Sequence, residues 1–189
     1  TTSSLVIAGA GGGNFGNINF TSGSSMLKTF TLNRSGSGGA ATIGTALAVY
    51  DVLTVSNGAL NTGGKLTLKS TATNTARVAP VTGTISGNVT VERYIPAKRA
   101  WRLMNAPVGG NQTISQAWQE GATTASANPN PAPGYGTHVT GGTLANGFDQ
   151  GPQSSASLKS FTATGALQAV TSTNSAKVAN KPYMLFVRG

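Results

Sequence analysis

A chain of 189 residues with 13 Lys and Arg against four Asp and Glu has a formal net charge of +9, yet only 9% of its residues are charged. The few acids leave little material for paired-carboxylate chemistry, and the absence of Cys excludes disulfides and thiolate metal sites. With 26 Gly and abundant Ser, Thr and Asn the sequence disfavours long helices, and no apolar run approaches the ~18 residues of a membrane span.

The positive charge comes from scarce acids rather than dense bases, so nucleic acid is not the expected partner. Val, Ile, Leu and Thr recur throughout, which argues against disorder and for many short strands joined by tight turns. The chain starts at Thr1. That start reads as a processed product or a fragment.

Residues 1–88 read as successive short strands: Ser4–Ala8, Asn17–Phe20, Lys28–Asn33, Ala46–Val55, Gly58–Asn61, Lys65–Ser70 and Ala76–Val81. Gly, Asn and Ser clusters separate them. Leu53-Thr54-Val55 and Leu66-Thr67-Leu68 stand thirteen residues apart with Asn-Gly and Gly-Gly between, the spacing of strand, turn and strand in a β-solenoid coil. An antiparallel sandwich is the competing arrangement. Gly9, Gly11, Gly12, Gly13 and Gly16 look superficially like a phosphate loop, but a strand follows rather than a helix, so they read as turn glycines.

The stretch Val89–Pro107 is the expected seam, and it concentrates Arg93, Lys98, Arg99 and Arg102. Beyond it, Thr113–Glu120 is the best helix candidate, with Thr113 as its cap. Ala127–Gly136 holds three Pro and reads as a loop. Short strands are expected at Thr137–Thr140, Phe148–Asp149, Ser157–Ala163, Leu167–Thr171 and Pro182–Arg188.

The series VERYIPAKRAWRLMNAPV, TISQAWQEGA, NPNPAPGYGTHVTGG, GFD, SLKSFTATGA and PYMLFVRG resembles a domain found in large surface and secreted proteins of Bacteroidetes-type bacteria. The preceding GALNTGGKLTLKSTATNTARVAPVTGTISGNVTVERYI resembles the short β-repeats that come before it there. The resemblance covers about residues 45–189. It implies type IX secretion and an extracellular, adhesin-like or filament-like setting, and it brings no catalytic residue with it. The chain departs from the pattern by stopping at Gly189 without a sorting domain; because the apolar strand Pro182–Arg188 ends abruptly there, the second domain is expected to be truncated, or its last strand to complete itself against another molecule.

Several residues invite chemistry. Glu92 with Glu120 would be the pair for a glycosidase, though neutralising nearby arginines is the plainer role. Arg93, Lys98, Arg99 and Arg102 could neutralise a uronate in a lyase, against a plainer reading as a cluster packed with Trp101. His138 is the only His, and no nucleophile elbow accompanies it. Trp101 and Tyr183 lie in apolar strands and are expected in the core. Tyr135, between two Gly, is the best exposed aromatic.

The expected fold is all-β, with a β-solenoid-like segment over residues 1–88 and a β-sandwich-like domain over 89–189. The expected function is that of a non-enzymatic structural or adhesive module of a bacterial extracellular or cell-surface protein. A carbohydrate-binding or carbohydrate-active module is the alternative. No catalytic residue, cofactor or metal is assigned, and the candidate ligand or interface contacts are Arg93, Lys98, Arg99, Arg102 and Tyr135. The partners considered are further copies of the chain, in an oligomer or filament, and a glycan surface; membrane insertion is not expected.

Overall fold

The structure is a computed structural model, and it describes residues 2–106, 108–119, 137–150 and 155–187. It is nearly all β and divides into two compact units, Thr1–Pro96 and Ala97–Gly189.

The first unit is a β-solenoid of about four turns. Its strands are β1 (Ser4–Gly9), β2 (Asn14–Ile18), β3 (Met26–Arg34), β4 (Ala40–Ile43) and β5 (Leu47–Asn57), then β6 (Ala59–Asn61), β7 (Leu66–Leu68), β8 (Arg77–Val78), β9 (Thr84–Ser86) and β10 (Val89–Val91). One parallel sheet has the order β1-β3-β5-β7-β10, with β8 also beside β5; the other runs β2-β4-β6-β9. Successive coils place like residues in register, so that Leu5, Phe30, Leu53 and Val78 form one column. Leu27, Val49 and Leu68 form a second, and Ala41, Leu60 and Ile85 a third on the other sheet. Phe30, Leu32, Ile43, Val49, Leu53, Val55, Leu60 and Leu66 are essentially inaccessible to water. Each such side chain contributes roughly 1.5–3 kcal/mol of burial.

The outer positions are linked by hydrogen bonds from coil to coil. Asn57 Nδ2 donates to Asn33 Oδ1 at 2.8 Å, and Lys65 Nζ donates to the Gly44 carbonyl at 2.6 Å. With the bond from Thr62 Oγ1 to the Asn88 carbonyl, these contacts join residues between 21 and 26 positions apart. The thirteen residues from Leu53 to Leu66 are therefore less than one full coil. Leu66 lies beside Leu47, and Leu53 beside Phe30, because each coil contributes strands to two sheets. In β5, Tyr50 and Asp51 stand opposite Lys28 alone, between the pairs Leu27–Val49 and Thr29–Val52. Two residues against one make a bulge, which bends the long face.

Glycines stack at one corner. Ala59 N–H donates to the Gly39 carbonyl and Thr84 N–H to the Gly58 carbonyl, both at 2.9 Å. Gly58 has φ of +86°, and a Cβ there would lie 2.7 Å from the Gly39 oxygen. Only glycine satisfies both the left-handed backbone and that approach.

The unit boundary falls after Pro96, not before Val89. The physical reason is that β10 completes the solenoid, pairing with β7 in parallel register from Val89–Leu66 to Val91–Leu68.

The second unit is β-sandwich-like and is built on one antiparallel sheet. Its strands are β11 (Ala100–Asn105), β12 (Leu158–Phe161), β13 (Leu167–Ala169) and β14 (Pro182–Val187), in the order β11-β14-β12-β13. Helix α1 (Ile114–Ala117) is one turn of the expected helix, closed by a reciprocal pair: Gln116 N–H donates to Thr113 Oγ1, and Thr113 N–H donates to Gln116 Oε1. The core of this unit comprises Ile114, Val139, Phe148, Leu158, Val178, Tyr183 and Leu185.

Thr137–Thr140 and Phe148–Asp149 are buried in part but are not strands. A 3-10 turn at Leu144–Asn146, ended by Gly147 at φ of +85°, folds the segment on itself. The two ends are then held by Asp149 rather than by a ladder.

Candidate ligand-binding surface

Strand β11 alternates between half-buried and exposed residues, so its successive side chains face opposite sides of the sheet. Ala100, Arg102 and Met104 share a face with Val187, Leu185 and Tyr183, the inner side. Trp101 and Leu103 occupy the other face, 40% and 71% exposed. Trp101 was expected in the core; it lies outside because the alternation that buries Leu185 turns the indole outward. Tyr183 is buried as expected.

Cross-strand neighbours complete the outer face. Trp101 pairs with Phe186, with ring centroids 5.3 Å apart and planes inclined by 54°. Leu103 pairs with Met184, which pairs with Lys159, and Phe161 pairs with Leu167. Lys159 Nζ lies over the Trp101 ring at 4.9 Å from its centroid, and the Arg99 guanidinium carbon lies 6.0 Å from the Phe186 centroid. Both geometries fall within the range of cation–π attraction. Among the described residues the one ion pair is Lys69–Glu92, so neither Lys159 nor Arg99 is paired with a described carboxylate.

The expected basic cluster is thereby divided. Arg93 is exposed and belongs to the first unit; Lys98 and Arg99 are exposed in the second. Arg102 is half-buried on the inner face, with Nη2 donating to the Lys98 carbonyl at 3.5 Å and a buried Nε that has no partner. Tyr135 and Glu120 lie outside the described residues. Glu92 is held by Lys69 Nζ at 2.5 Å across neighbouring coils, a lysine rather than the arginine expected. Sequence reasoning missed Lys159 and Phe186 as site residues. The period-two pattern of SLKSF and PYMLFV places them on a common strand face, but only the register brings them to Trp101.

The second unit also holds a buried polar cluster. Asp149 is 2% exposed, and its Oδ2 accepts from Val139 N–H at 2.6 Å and from Gln119 Nε2 at 2.9 Å. Gln119 Nε2 also donates to the Gly147 carbonyl, and Thr173 Oγ1 donates to the same oxygen at 2.7 Å. Tyr183 Oη donates to the Lys177 carbonyl at 2.6 Å, and burial pushes its phenol above the ordinary range. These groups fix loops. Among the described residues no group of three or more His, Cys, Asp or Glu could hold a metal ion, and no helix is long and apolar enough to cross a membrane.

No protein-family model, no curated protein and no solved structure matches this chain.

Proposed function

We propose that this chain is a non-enzymatic structural and adhesive module of a bacterial extracellular or cell-surface protein. The observation that carries the reading is the outer face of the antiparallel sheet, where Trp101, Leu103, Phe161 and Leu167 are exposed together and two cations stand over aromatic rings. Exposed apolar residues gathered on one face mark contact surfaces more often than isolated ones do. The solenoid supports the structural half. Each coil covers the apolar face of the next, which makes such a segment a stiff spacer. The resemblance of the motif series to Bacteroidetes surface proteins supports the bacterial and type IX assignments.

The test is attachment of protein-coated beads to immobilised intact cells. Retention above that of uncoated beads is expected; equal retention would refute the adhesive role.

A further inference from the structure

We propose that the outer face of the antiparallel sheet binds an acidic glycan, its ring faces against Trp101, Leu103 and Leu167 and its carboxylates or sulfates at Lys159 and Arg99. The proposal rests on the adhesive reading and names the ligand class of that surface.

Charge is the first argument. The described bases of this unit are Lys98, Arg99, Arg102, Lys159, Lys177 and Lys181, and its one described acid, Asp149, is buried against Val139 and Gln119. Two of these bases stand on the exposed face. An ammonium over a ring keeps N–H donors directed elsewhere, and a guanidinium has five. These donors are placed to meet an anion brought to the face. A second copy of this unit offers no exposed described carboxylate, so self-association through this face would set cation against cation.

Geometry narrows the anion. The binding surface is a sheet face, whose backbone groups are directed to neighbouring strands within the sheet. An acidic peptide laid across that face would find no main-chain pairing; only a sheet edge, such as the outer edge of β11, could offer it. Nucleobases gain most from flat aromatic platforms. Here the two rings are inclined by 54° and flanked by the aliphatic pair Leu103 and Met184. A puckered sugar ring presents C–H groups that pack on aliphatic and aromatic surfaces alike, and an acidic sugar joins to them the anion that Lys159 and Arg99 require.

The experiment is affinity electrophoresis of the purified chain, followed by calorimetry, with polygalacturonate and heparin as probes. Dextran is the neutral control; phosphatidylglycerol vesicles and an oligothymidylate are the rival anions. Retention by at least one acidic polysaccharide, weakening as salt rises, is expected, with none by dextran. The Arg99→Gln/Lys159→Gln pair should weaken binding at least tenfold without changing thermal unfolding, and Trp101→Thr should do the same. Binding of dextran as strong as that of the acidic probes would overturn the proposal. So would unchanged affinity in the double variant, or retention by vesicles or oligothymidylate with neither polysaccharide bound. Beads that attach to cells while no acidic polysaccharide binds would remove the ligand assignment and leave the adhesive reading standing; the reverse pattern would remove the adhesive reading alone.

Discussion

Leu53 is flanked on both sides within its sheet, its Cα paired with Phe30 in one neighbouring coil and with Val78 in the next. Its side chain is 1% exposed. Loss of this one residue therefore opens a cavity that touches three coils. Leu53→Ala is expected to destabilise the solenoid by about 2–5 kcal/mol, the range for buried leucines. Urea unfolding followed by far-UV circular dichroism measures it, and a loss below about 1 kcal/mol would contradict the column.

The glycine corner makes a sharper demand. Gly58→Ala brings a Cβ to 2.7 Å from the Gly39 carbonyl at a backbone angle of +86°. The expected cost is about 1–3 kcal/mol, the scale of strained backbone. Gly23→Ala is the control: its φ is +81° but nothing lies within 4 Å of the added Cβ, so it carries the conformational strain without the clash. Gly58→Ala should be the more destabilising of the two in parallel thermal melts.

Tyr183 gives the second unit an alkaline limit. Burial raises its folded-state pKa above the ordinary value of 10.0, so the folded state retains the phenolic proton where the unfolded chain loses it. The stabilisation is complete below about pH 10 and is lost as pH rises through the folded pKa. Tyr183→Phe removes the hydrogen bond to the Lys177 carbonyl, at a cost of about 0.5–1.5 kcal/mol near neutrality, and removes its share of the alkaline loss. Denaturant titrations on either side of pH 10 compare the two proteins; equal pH slopes would refute the assignment.

Asp149 is expected to act through the loop it ties rather than through chemistry. Asp149→Ala leaves the Val139 N–H and the Gln119 amide without their shared acceptor, and should cost about 1–3 kcal/mol. Hydrogen exchange at Val139 is the local readout, and it should accelerate. Unchanged protection would mean that the bond does not hold the loop.

Much of the fold was legible because strands and turns write themselves in period-two apolar patterns and in glycine. Ser4–Gly9, Met26–Arg34, Leu47–Asn57 and Pro182–Val187 could be read in this way. The short strands Ala40–Ile43 and Thr84–Ser86 escaped, since AATI and TIS carry too few large apolar residues to mark a face. The coil length escaped too, because two strands of each coil lie in different sheets and the linkers vary. At the candidate site, the run from Arg93 to Arg102 looked like one cluster in sequence. Strand alternation sends Trp101 outward and Arg102 inward, and which face is buried depends on Leu185 and Leu158, contributed by distant strands. The Lys159–Trp101 contact is a product of register alone.

The central claim is that the Trp101 face is the working surface of this module, and bead attachment under flow tests it most directly. Beads carrying the intact chain should adhere to immobilised cells. Beads carrying the Trp101→Thr/Leu103→Thr double variant should detach at the rate of uncoated beads, while its thermal unfolding shows that it remains folded. Equal adhesion by a folded double variant would contradict the claim and place the adhesive surface elsewhere on the chain.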